Sequence, residues 1–148
     1  MAYQFSLRAL LRIRRIYEQR ERMRLTLLNA SRARLRNEYD EAGRQRVQGF
    51  EELEQRLEEG MSGAEFQFEE ASLQRAANRQ RELSALIEAL ELQVRKQVEV
   101  FRESQMKRKI LDSLSERERL AYQQVEDRRE QQRIDDLFTR RHVSRLNG

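Results

Sequence analysis

EEGMSGAEF, residues 58–66, is the one stretch of the 148-residue chain that reads as a turn. Gly60 suits the left-handed position just after a helix C-terminus, where a Cβ would clash. Ser62 followed by Glu65 is a capping box, in which the hydroxyl accepts a backbone N–H of the new helix and the Glu reaches back. Met61 and Phe66 flank the cap at the spacing of a hydrophobic staple. These three signals together place a tight helix–helix turn at Gly60–Gly63. Gly43 and Gly49 lack such company and read as weak points of the first helix, at up to ~1 kcal/mol each.

Outward from the turn, nothing stops a helix. Pro is absent, Trp is absent, and 38% of residues are charged. Mean hydropathy is −0.97. A chain this polar is either disordered or forms long helices that bury only a stripe. The abundance of Ala, Leu, Glu, Arg and Gln, all good helix formers, decides for helices. The first helix is expected from about Phe5 to Glu59 and the second from about Gly63 to near Val143. At ~1.5 Å per residue these are about 80 and 120 Å long. Neither is stable alone in water without a partner surface.

The two helices supply that surface to each other. With the turn centred on Met61, residue i lies beside residue 122 − i. Leu28 then faces Val94, Leu35 faces Ile87, Tyr39 faces Leu83, and Leu25 lies beside Val98. Nearer the turn Phe50 meets Leu73 and Leu53 meets Phe68, while at the far end Leu11 meets Leu111. The second helix carries Leu83, Ile87, Leu90, Val94, Val98 and Phe101 at 3–4 spacing, a coiled-coil seam. The first helix is less apolar, with Arg14, Glu21 and Arg32 at or near seam positions. The expected fold is all-α, a single domain over residues 1–148 forming an antiparallel two-helix coiled-coil hairpin. A parallel dimer that ignores the turn is the alternative.

The same register predicts an overhang. The first helix ends opposite about Arg117, and the second continues for some 25 residues with Ala121, Val125, Ile134, Leu137 and Phe138 as its apolar groups. Arg117, Arg119 and Tyr122 are therefore expected to stand where the chain offers no partner, while Leu111 and Leu114 close the seam. Charge is also unevenly spread. Residues 1–36 carry ten Arg against two Glu, residues 37–93 six Arg against fourteen acids, and residues 94–148 fourteen Lys and Arg against ten acids. The turn end is acidic and the open end basic, so the two ends prefer different partners. Of 30 cations 27 are Arg, leaving Lys96, Lys107 and Lys109.

Chemistry is hard to place on such a chain, and no enzyme, cofactor or metal site is expected. His142 is the single His, and with no Cys it cannot complete a zinc site. Glu51/Glu52 and Glu58/Glu59 are adjacent and splay around a helix. No Glu-x-x-His pair, phosphate-binding Gly loop or activated Ser or Thr is present. No apolar run approaches the ~20 residues of a membrane span. The N-terminal positive charge follows its apolar run, which is the wrong order for a secretory signal, so a soluble cytoplasmic protein is expected. The Arg-rich LRALLRIRRIYEQRERMRL, residues 7–25, could meet nucleic acid as a basic region does, but no clean leucine zipper follows it. Its apolar members, with Phe5, Leu7, Leu10, Leu11, Ile13 and Ile16, could equally touch an anionic membrane.

MKRKILDSLSERERLAYQQVEDRREQQRIDDLFTRR, residues 106–141, resembles the C-terminal signature of the FliJ family of flagellar type III export proteins, relatives of the YscO-like injectisome proteins. The matching features are Lys107–Arg108–Lys109 before Leu111 and Leu114, then Glu116–Arg117, Tyr122, Glu130–Gln131 and Asp135–Asp136. YQFSLRALLRIRRIYEQ, residues 3–19, is similar to that family's opening. The resemblance implies a two-helix coiled coil akin to the central stalk of rotary ATP synthases. It also implies three partners: the hexameric flagellar export ATPase (FliI-like), the cytoplasmic domain of the export gate (FlhA-like), and export chaperones. No nucleic acid or small-molecule substrate is implied, and the location implied is cytoplasmic, held at the inner membrane through the export apparatus.

On that reading the open end engages the ATPase through Arg8, Arg12, Arg15, Lys107, Arg117, Arg119, Tyr122, Arg128, Arg129 and Asp135. The gate contact falls near the turn end, with Phe66, Phe68, Ser72, Ala76 and Arg79 as candidates. Ser72, Ala76 and Arg79 stand where the family has larger apolar groups, and staple or seam packing accounts for Phe66 and Phe68 equally well. The rivals are an export chaperone or adaptor that holds secreted subunits along its seam, and a nucleic-acid-binding coiled coil.

Overall fold

The computed structural model describes residues 4–147. It is an all-α hairpin of two helices packed against each other, α1 at Arg8–Glu59 and α2 at Gly63–Asn147. The expected first turn of α1 is shifted. A backbone bond from Arg8 N–H to Phe5 O at 3.2 Å closes a tight turn over residues 5–8, and regular helix starts at Arg8. At the other end α2 runs on to Asn147, beyond the expected Val143, because its last turns hold no Gly or Pro to break it.

The link is built as its residues dictate. Gly60 has φ of 99°, the left-handed region that an L side chain rarely adopts. The Ser62 hydroxyl accepts the Glu65 N–H at 3.2 Å and the Ser62 carbonyl accepts the Phe66 N–H at 3.0 Å. Met61 and Phe66 are both half-buried.

The structure divides into two compact units. One is Arg20–Arg102, which contains the turn. Its core is Leu83, 1% exposed, with Leu53, Leu90, Val94 and Ala42. Leu25, Leu28, Leu35, Ile87, Val98 and Phe101 are half-buried beside them. Arg56 clasps the turn by donating to Glu65 at 3.3 Å and Glu69 at 2.8 Å. Further along, Arg36 bonds Glu91 at 2.5 Å, and Arg22 lies over the Phe101 ring, 5.5 Å from its centre.

Gly43 and Gly49 turn out to be fitted into the seam. A Cβ on Gly49 would lie 2.8 Å from Leu73 Cδ2, and one on Gly43 would lie 2.8 Å from Gln80 Nε2. The partner of Gly49 is the one that the 122 − i register assigns to it. Each glycine makes room for a side chain of α2, so the helix propensity it loses is offset by close approach.

Three expectations fail in detail. Phe68 is 66% exposed and Phe50 is 50% exposed, so neither packs in the seam. Stepping back from Leu83 at 3–4 spacing reaches residues 80, 76, 73, 69 and 66, all at least half-buried. Phe68 sits one position off that path, and Glu69, bonded to Arg56, takes the place. Leu114 is 41% exposed for the same reason, since Leu111 is followed on the seam by residues 115, 118 and 122. Tyr39 is 38% exposed and offers mainly its backbone carbonyl, to Gln80 Nε2 at 3.3 Å.

The second unit joins the stretch up to Gln19 with the stretch from Glu103 onward. Phe5, Leu11 and Leu111 form its apolar cluster. Beyond Glu118, whose carboxylate accepts from the Ser6 hydroxyl at 3.1 Å, α2 carries mostly exposed residues to its end. No helix among the described residues is long and apolar enough to cross a membrane.

Candidate functional site

At the open end a buried carboxylate organises the side chains. Glu18 sits seven residues after Leu11, so the seam turns it inward, and only 6% of it is exposed. Arg108 reaches it from α2 with a two-pronged contact, Nε to Oε2 at 2.6 Å and one terminal nitrogen to Oε1 at 3.0 Å. The other terminal nitrogen of Arg108 donates to Asp112 at 2.9 Å, and Arg15 donates to the second oxygen of Asp112 at 2.9 Å. The bonds that Arg108 donates to Glu18 and then to Asp112 raise its pKa above the ordinary value, so the guanidinium stays charged. The Asp112 carboxyl is held below the usual carboxylate range, first by the Arg108 hydrogen bond and then by Arg15. Geometry of this kind fixes which residues of the two helices lie side by side.

Around that network lie the expected ATPase-facing side chains. Arg8, Arg12 and Arg15 line one shallow groove with Leu11, Ile16 and Gln19. Arg8, Arg12, Arg117 and Arg128 are exposed. Lys107 pairs with Glu103 at 3.1 Å, Arg129 with Glu126 at 3.2 Å, and Asp135 accepts from Gln131 at 3.1 Å. Arg119 and Tyr122 depart from expectation. Arg119 donates to both oxygens of Glu116, at 2.6 and 3.2 Å, and holds that carboxyl below its ordinary range. Tyr122 is half-buried on the seam path and makes contacts of its own. The structure therefore gathers Arg8, Arg12 and Arg15 at one place and spreads Arg117 to Asp135 along a single helix.

The gate-facing candidates belong to the unit with the turn. Ser72, Ala76 and Arg79 line a groove with Gln45, Gly49 and Glu69. Arg79 reaches Glu38 at 3.3 Å. Phe66 and Phe68 lie outside that groove, Phe66 half-buried and Phe68 exposed. In the same unit Glu21 is the second buried acid, 8% exposed. Gln97 Nε2 donates to its carboxylate at 2.6 Å and to its carbonyl at 3.1 Å, and Arg24 adds a bond at 3.1 Å.

Glu18, Arg108 and Asp112 as a set were missed by reading the sequence for apolar residues. A strict count of seven from Leu11 to Glu18 to Leu25 would have found the acid. His142 is exposed, and no cluster of three or more His, Asp or Glu that could hold a metal is formed among the described residues. Compared with known families, residues 3–147 match the family model described as "Flagellar FliJ protein". Neither the curated proteins nor the solved structures give a match.

Proposed function

This chain belongs to the flagellar FliJ protein family, components of the flagellar export apparatus, and on that premise we propose that it is a non-enzymatic coupling part of that machine. It engages the ring of the export ATPase, promotes its assembly and turnover, and meets the export gate. The observation that carries the reading is the free run of α2. Past Tyr122 the helix continues to Asn147 with no second helix beside it among the described residues, and it presents exposed Arg128 between short-range ion pairs, with exposed Arg117 just ahead of it. A polar helix held out alone is marginal in water. It gains stability when another protein encloses it. Many exposed pairs at ~0.2–1 kcal/mol each make a surface that binds without locking.

The test is turnover of the purified ATPase with and without this protein. Addition raises the hexamer fraction and the turnover, and charge reversal at Arg117, Arg128 and Arg129 together weakens the effect. Unchanged turnover on adding the protein refutes the proposal. The gate is assigned to the groove of Ser72, Ala76 and Arg79, tested by a pull-down with the gate's cytoplasmic domain and an Arg79→Glu variant. A chaperone that used the seam would need Leu83, Leu90 and Val94 available. They are buried within the hairpin, which favours the coupling reading.

A further inference from the structure

The free run of α2 carries a face that complements itself. Ile134 and Phe138 are one turn apart, with Leu137 on their flank, and they are 51%, 73% and 51% exposed. Seven residues before Ile134 the same face holds Asp127, and seven after it Arg141. Gln131 and Arg145 continue the line at the 3–4 spacing of a coiled-coil seam. Glu130 flanks the N-terminal half on one side and Arg128 on the other, so the net charge of that half is the one of Asp127. The face is thus acidic at its N-terminal side, apolar in the middle and basic at its C-terminal side. Asp136 points to the opposite side of the helix, 200° of rotation from Ile134 at ~100° per residue.

We infer that this face binds the same face of a second copy, antiparallel, as a two-fold symmetric pair. Ile134 of each copy lies beside Phe138 of the other. The same offset puts Asp127 beside the second copy's Arg145 and Gln131 beside its Arg141, twice over by symmetry. A two-fold interface needs a patch that complements itself under reversal, and this one does. Parallel pairing would stack Asp127 on Asp127 and Arg145 on Arg145, so charge selects the antiparallel arrangement. The length also fits. At that offset the second copy's Asn147 reaches Val125, short of Tyr122, the half-buried residue to which the hairpin's own seam path runs. The bonds from Gln123 to Asp127 and from Arg133 to Glu130 are exposed short-range contacts and yield readily to a better partner. The contact covers about five helical turns with few apolar side chains, so it is weak and reversible. The pairing stands independently of the ATPase reading.

The experiment is sedimentation velocity on the full chain from about 1 to about 200 µM, a range that brackets a weak association. The expected result is a monomer at the low end and a dimer at the high end. Phe138→Asp, a change at an exposed position, removes the dimer while the circular dichroism stays helical. Asp127→Arg and Arg145→Asp each weaken it about tenfold, since two pairs become repulsive. An equimolar mixture of those two variants restores it, because each then faces its complement. A wild-type chain that stays monomeric across the range overturns the inference and leaves the face to a different protein. A dimer that ignores the charge reversals, or whose variants do not rescue each other, overturns it as well.

Discussion

Replacing Arg108 by Met tests whether the buried network sets the pairing at the open end. Met keeps most of the aliphatic stem and removes the charge, so Glu18 keeps its burial and loses both bonds from Arg108, at 2.6 and 3.0 Å. Stranding a buried ion costs ~3–5 kcal/mol. The Arg108 side chain is 23% exposed and the Glu18 side chain 8%, so water reaches the site and reduces the expected cost to about 2–3 kcal/mol. Asp112 retains its bond from Arg15 and adds little to the loss. Native-state amide hydrogen exchange over residues 11–18 and 104–112 reads the effect locally. Opening there becomes roughly 30- to 150-fold more frequent. The double variant Glu18→Leu with Arg108→Met removes both charges and recovers most or all of the loss, because two apolar groups replace a costly pair. If Arg108→Met changes exchange by less than about threefold, or the double variant is no better than the single, the reasoning fails.

Four further outcomes follow from the same geometry. Leu83→Ala, at the most buried side chain, lowers unfolding stability by ~2–5 kcal/mol in urea denaturation, whereas Phe68→Ala changes it by less than ~0.5 kcal/mol. Gly60→Ala costs about 1–2 kcal/mol from backbone strain alone, since no atom lies within 4 Å of the added Cβ; Gly60→Asn loses less. Asp112 has its folded pKa lowered, so its stabilisation is fully present above the ordinary carboxylate range and is lost as pH falls through the folded value. The gap in urea midpoint between the wild type and Asp112→Asn therefore narrows from about pH 7 to about pH 3. Ser62→Ala removes the cap on α2 at a cost of ~1 kcal/mol, read in thermal melting.

The turn was fully legible because its signals are local: a left-handed glycine, a capping box and a staple occupy seven consecutive residues. The register followed from the turn's centre, and Gly49 against Leu73 shows that it holds. The seam of α2 around Leu83 to Phe101 was legible because apolar residues marked it. Where seam positions are charged, the same spacing is indistinguishable from a solvated face to an eye that follows hydrophobicity. Glu18 escaped notice for that reason, Arg108 was read only as part of the Lys107–Lys109 basic run, and Phe68 and Leu114 were drawn in for the converse one. Tyr122 was read as unpartnered because the seam was taken to end with α1, whereas its 3–4 spacing continues to that residue. The grooves beside Arg12 and Ser72 have no signature in a linear sequence, since they arise from how side chains fill the space between turns.

The three-residue link at Gly60 also governs the order in which the chain comes together. Arg56 and Glu65 are nine residues apart, while Ser6 and Glu118 are 112 apart. Bringing the first pair together restrains a short loop, and the second restrains nearly the whole chain, at an entropy cost that rises with the logarithm of length. Once the turn has formed, each further layer closes only a few more residues, so pairing advances from the turn like a zipper. The cluster of Phe5, Leu11 and Leu111 closes last. Because Phe5 and Leu11 leave the ribosome long before Leu111, the N-terminal arm waits through most of synthesis for its partner helix. The basic open end is thus the last part of this protein to mature, and the first to open when the hairpin breathes.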